Sequence, residues 1–119
     1  MKRDPDKRRL VPEAPPDIEV MQQAIDAAIQ SPLSKLDRAD LDEQSEELAE
    51  HLRRLLREDY PEDVPAVRAV FRAAYRILDT PMRPTPADSD YTAWQHWRNL
   101  AHATDAVLDM FRRYGRGVR

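Results

Sequence analysis

The sequence predicts an all-α protein: a small antiparallel bundle of four helices with an extended basic N-terminal tail. Three observations predict it. Apolar residues recur at three- and four-residue intervals in four separate segments, the spacing of one face of a helix. The links between these segments hold prolines and capping residues. No stretch shows the apolar–polar alternation of a half-buried strand, and both glycines lie after Tyr114, so tight glycine hairpins have no material.

Residues 1–16 combine dense charge with Pro5, Pro12, Pro15 and Pro16 and offer only Leu10, Val11 and Ala14 for burial, so they read as an extended tail. Residues 17–114 read as the bundle, and 115–119 as a short basic C-terminal tail. Asp17 is placed to cap a first helix with Ile18, Met21, Ile25, Ala28 and Ile29 on its face, ending near Gln30 before Pro32. Ser34 and Asp37 suggest a short helical turn. Asp37 or Asp40 then caps a second helix striped by Leu41, Leu48, Leu52, Leu55 and Leu56. Its first half is acidic and its second half basic, as the helix dipole favours, with Glu50–Arg54 and Arg54–Glu58 as pairs four apart. Asp63 is the expected cap of a third helix with Pro65 in its first turn and Val67, Val70, Phe71, Ala74, Ile77 and Leu78 buried, Phe71 beside Leu52. A proline-rich loop over 80–90 crosses the end of the bundle. Ser89 or Asp90 caps the fourth helix, whose face collects Trp94, Trp97, Ala101, Thr104, Leu108 and Phe111, with Leu100 and Val107 beside them, before a stop at Gly115.

Charged residues make up 34% of the chain and hydrophobic ones 41%, the balance of slender helices with wide solvated faces. Cysteine is absent, which removes disulfides, thiolate nucleophiles and Cys-ligated zinc. Lys2 and Arg3 are followed by prolines and charges where a signal peptide needs an apolar run, and no stretch nears the roughly 20 apolar residues that span a membrane. The expectation is a cytoplasmic protein. The net charge of −3 is polarised: residues 1–9 carry +3 and 110–119 carry +4, leaving −10 between them. An acidic body leaves the basic ends as the obvious anion-seeking parts.

Little in the sequence resembles catalytic or cofactor machinery. With no glycine before position 115, neither a P-loop nor a Rossmann fingerprint can form, and there is no GxSxG elbow. His96 and His102 are six apart, about 120° around a helix, not the same-face pair of a metal site. His51 borders the leucine stripe of the second helix, and His102 is spaced to pair with Asp105. Glu46, Glu47 and Glu50 read as a solvated acidic face, since the Glu-x-x-His motif of di-metal bundles is missing. The expectation is no cofactor, no metal and no enzymatic activity.

Two constellations are candidates for partner binding. Arg68, Arg72 and Arg76 stand four apart and repel one another on an isolated helix. Compensation by Glu46, Glu47 and Glu50 of the second helix is the favoured reading, and an acidic partner or a phosphate backbone is the alternative. Trp94 and Trp97 anchor the core of the fourth helix, or one projects beside Tyr91 to form an aromatic partner patch.

From Leu41 to Leu108, the run Leu48-Ala49-Glu50-His51-Leu52, the stretch from Val64 to Ile77-Leu78 and the stretch from Ala101 to Leu108 resemble a family of small helical actinobacterial proteins of unknown function, labelled as natural-product biosynthesis proteins. The resemblance implies an actinobacterial host and an accessory or regulatory role, and carries over no catalytic residue. The functional expectation is a non-catalytic accessory or interaction protein that presents helical surfaces to a protein partner or to itself as a homodimer. The alternative is a small nucleic-acid-associated regulator using its basic tails and the arginine stripe.

Overall fold

The structure, a computed structural model, describes residues 14–115. Within them lie four α-helices and no strand: α1 (Ile18–Gln30), α2 (Arg38–Leu56), α3 (Pro65–Leu78) and α4 (Asp90–Tyr114), with 3₁₀ turns at Leu33–Lys35 and Thr80–Met82. The basic N-terminal segment through residue 13 and the last four residues fall outside the described part.

Three helix starts follow from side-chain caps. Asp17 accepts from the Val20 amide at 3.2 Å, Asp37 from the Asp40 amide at 2.9 Å, and Ser89 Oγ from the Thr92 amide at 3.1 Å. α3 starts differently, and Asp63 is not its cap. Pro65 holds Val64 extended (φ −93°, ψ 116°), which makes Val64 the N-cap and Pro65 the first helical residue, with no side chain capping.

The core is built between α2 and α4, which pack most extensively on each other. α1 lies against both, α3 lies mainly against α4, and α1 and α3 do not meet. α1 contributes Met21, Ile25 and Ala28; α2 contributes Leu41, Leu48, Ala49, Leu52 and Leu55; α4 contributes nine buried residues, among them Trp97, Leu100, Leu108 and Phe111. Thr104 is fully buried, and its hydroxyl donates to the Leu100 carbonyl at 2.7 Å, so this polar group costs little to bury.

α3 departs from expectation. Only Val67 and Ala74 are fully buried, while Val70, Phe71, Ile77 and Leu78 are half-covered. Because α3 touches α2 only marginally, α4 covers its apolar stripe from one side. Phe71 stacks edge-on with Tyr60 at 5.3 Å and Tyr75 at 6.0 Å instead of lying in the core with Leu52. Gly115 does end α4, through its amide on the Phe111 carbonyl at 2.9 Å, but its backbone is extended (φ −65°) and not left-handed. The glycine is required by proximity: a Cβ there would lie 2.5 Å from the Phe111 ring and 2.6 Å from the Phe111 carbonyl oxygen.

The 80–90 loop is tied to the start of α2. Arg38 donates to the carbonyls of Thr85 and Asp88, both at 2.7 Å, and to the Asp42 carboxylate at 3.0 Å. Asp88 in turn accepts from the Thr85 amide at 2.7 Å. This clamp holds the loop that follows Met82 against the start of α2.

Candidate functional site

Residues four apart on a helix advance about 40° around its axis, so Arg68, Arg72 and Arg76 form a slanted row. Its centre lies about 150° from Val67 and Ala74, the buried pair. All three arginines are therefore exposed on the side of α3 away from the core. Glu46, Glu47 and Glu50 of α2 do not pair with them, and the expected internal compensation is absent among the described residues. Glu46 pairs instead with Arg53 at 3.3 Å and with Arg83 at 3.2 Å, Glu50 pairs with Arg53 at 2.7 Å, and Glu47 approaches His51 at 3.8 Å. Glu50 thus takes the arginine three residues on, while Arg54 binds Glu58 at 2.7 Å as expected. Arg68 donates to the Glu62 carbonyl at 2.8 Å. Arg72 and Arg76 make no hydrogen bond or ion pair among the described residues.

The row divides between two surfaces. Arg68 and Arg72 border an open cavity of about 670 Å³ with Tyr60, Phe71 and the acidic residues Glu58, Asp59 and Glu62, so charge there is mixed. Tyr60 donates to the Leu55 carbonyl at 2.7 Å, and burial, reinforced by Glu58, pushes its hydroxyl well above the ordinary tyrosine range. On the other flank, Arg72 and Arg76 border a groove of about 300 Å³ with Ala69, Ala73, Ile77 and Met82. A second depression of about 230 Å³ lies beside it, sharing Ile77 and Met82 and lined also by Tyr91. No carboxylate lines either part. Met82 is 42% exposed and Tyr91 57% exposed, so two large apolar side chains stand in solvent beside two arginines without partners.

The two tryptophans separate. Trp97 is buried in the core. Trp94 is half-buried: its indole NH donates to the Ser31 carbonyl at 3.0 Å and the Arg98 guanidinium covers its ring at 4.9 Å, so it seals α4 against the end of α1. Tyr91 lies 5.8 Å from the Trp94 ring but lines the groove on its other side. Of the residues the sequence singled out, the structure brings Arg72 and Arg76 to one groove, places Tyr91 in the depression beside it, and assigns Arg68 and Trp94 elsewhere. Sequence reasoning missed Met82, Ala69, Ala73 and Ile77. The two alanines four apart between arginines were a readable sign of a shallow floor. Met82, alone among prolines, gave none.

One further cluster gathers titratable groups. Asp42, Glu46, Arg53, Arg83 and His96 meet around a cavity of about 130 Å³. Burial and then the Arg83 charge lower the His96 pKa below its ordinary value, and Glu46 is held by two arginines. The space is below the roughly 300 Å³ at which small-molecule pockets begin. Among the described residues no three His, Asp or Glu side chains are grouped to hold a metal ion, and no helix is long and apolar enough to cross a membrane. Comparison with protein-family models, curated proteins and solved structures finds no match.

Proposed function

We propose that this chain is a non-catalytic interaction protein that offers the outer face of α3 and the turn after it to a protein partner. One observation carries the reading: Arg72 and Arg76, which make no hydrogen bond or ion pair among the described residues, border a groove that no carboxylate lines, with Met82 exposed in it and Tyr91 exposed in the depression beside it. An apolar strip rimmed by arginine is the composition of an interface, where arginine, methionine and tyrosine are enriched.

An accessory role in the cytoplasm of an actinobacterial host is the setting we propose, in line with the resemblance noted above. The links over 31–37 and 57–64 are short enough to support an antiparallel order for the first three helices, and the longer 79–89 loop lets α4 return along the bundle. Nucleic-acid binding through the basic ends gains no specific observation.

A photo-crosslinking residue placed at Ala73 tests the reading in the source cell, with the same residue at the exposed Asp105 of α4 as comparison. A discrete protein adduct at position 73 and none at 105 is expected. No adduct at 73, or the same adducts at both positions, overturns it.

A further inference from the structure

We infer that the α3 groove receives an amphipathic helix of another protein whose apolar stripe is flanked by carboxylates. This inference rests on the interaction reading above and specifies the chemistry of the partner.

Ala69 and Ala73 line the groove and carry nothing beyond Cβ, and so let a partner backbone come close. From Ala69 to Ile77 the groove follows α3 for about 12 Å, roughly two turns, and the second depression, on the other side of Ile77 and Met82, is lined by Tyr91. Two neighbouring depressions, with Ile77 and Met82 common to both, suit two apolar anchors on successive turns of one helix, the spacing by which helices recognise grooves. Along one wall stand Arg72 and Arg76, four residues apart, each with its guanidinium free to take a carboxylate through two parallel hydrogen bonds. Carboxylates three or four apart on the incoming helix would meet them in register.

Charge selects among occupants. A second copy docked α3 against α3 about a two-fold axis would bring Arg72 and Arg76 against their own equivalents. This chain's own ends, +3 over residues 1–9 and +4 over 110–119, carry the wrong sign as well. A nucleic-acid backbone would satisfy the arginines but leave Met82 and Tyr91 uncovered, beside a body carrying −10.

The test uses the full chain and a labelled helical peptide with leucines on one face flanked by glutamates, against the same peptide with lysine in place of glutamate. Binding is followed by fluorescence anisotropy and by the Met82 methyl resonance, at about 0.05 M and about 0.5 M salt. The glutamate peptide is expected to bind and to shift the Met82 methyl. It should weaken at the higher salt and lose about three- to tenfold in affinity with either Arg72→Gln or Arg76→Gln. The lysine peptide is expected not to bind. Equal binding of the two peptides, no binding of either at about 1 mM, or indifference to both substitutions overturns the inference. So does displacement of the peptide by a DNA duplex that shifts the same methyl, or a homodimer that sediments intact and blocks the peptide. If position 73 still yields a cellular adduct while the glutamate peptide fails, the chemistry assigned to the partner is wrong and the interaction reading stands. If both fail, both fall.

Discussion

The guanidinium of Arg38, at the first residue of α2, lies 2.7 Å from the carbonyl oxygen of Asp88, a residue fifty positions further along the chain. With its bond to the Thr85 carbonyl, this contact closes the 80–90 loop onto the bundle and sets where Met82 and Tyr91 emerge. Hydrogen bonds from a charged donor contribute more than neutral ones, and the one to Asp88 is part-buried. Arg38→Ala should therefore cost about 1–3 kcal/mol in chemical denaturation and speed hydrogen exchange at the Asp88 amide. Arg38→Lys should recover only a minor part, because an ammonium cannot span two carbonyls and a carboxylate at once. Full recovery by lysine would show that charge, and not the forked geometry, holds the loop.

Leu52 is fully buried on α2, and Leu52→Ala should cost about 2–5 kcal/mol, as large-to-small changes in a core do. Phe71 is held differently, by edge contacts to Tyr60 and Tyr75 at the margin of the core. Phe71→Leu should cost about 1–2 kcal/mol, the worth of the two aromatic contacts, and should relax the turn at Tyr60. Equal losses from both changes would mean that α3 is as deeply docked as α2.

How far the sequence reaches is clear from these two residues. Leucine spacing on α2 and the caps at Asp17, Asp37 and Ser89 were legible because periodicity and capping are local properties, complete within a few residues. The half-burial of Phe71, Val70 and Ile77 was not, because it depends on which neighbour covers α3, and that is a tertiary fact. The same holds for the site. Like-charge spacing at Arg68, Arg72 and Arg76 was visible, but the direction the row faces follows from docking on α4. So does the fate of Glu46, which binds Arg83 from a loop no helical spacing could connect to it.

His96 gives a pH dependence with a defined sign. Burial, then the Arg83 charge, lowers its pKa in the folded state, so the unfolded chain binds the proton more readily. Stability rises with pH wherever the unfolded state holds more protons, and the penalty appears as pH falls through the ordinary imidazole value of 6.5. Wild type should lose stability between about pH 8 and about pH 5.5, and His96→Gln should lose less over the same interval. Parallel denaturation curves at the two pH values decide it. An identical drop in both proteins would place the proton uptake elsewhere.

Gly115→Ala opposes two effects. A glycine at φ −65° can become alanine without backbone strain, and the stiffer unfolded chain would stabilise the fold by about 0.4–1 kcal/mol. Against this, the new Cβ would sit 2.6 Å from the Phe111 carbonyl oxygen, a backbone atom that cannot swing aside as a side chain can. The clash should win, at about 1–3 kcal/mol, with fraying of the last turn of α4 visible as faster exchange of the Gly115-position amide. A raised melting temperature would show that the chain leaves Phe111 freely at this point.

Arg72→Gln separates the two accounts of the arginine row by the sign of its effect on stability. Were the row compensated by glutamates of α2, the substitution would remove surface ion pairs and lower stability by about 0–1 kcal/mol. In the structure, Arg72 has no such pair, while Arg68 and Arg76 stand four residues to either side of it on α3. Like charges at this spacing destabilise a helix by about 0.2–0.5 kcal/mol per pair. Removing the central charge relieves two repulsions, so the melting temperature should rise slightly at low salt, and the gain should fade as salt screens the row. Thermal melts of wild type and Arg72→Gln at low and high salt measure this directly. A variant that melts lower at low salt would return the row to internal compensation and remove the charge that the proposed groove offers to a partner.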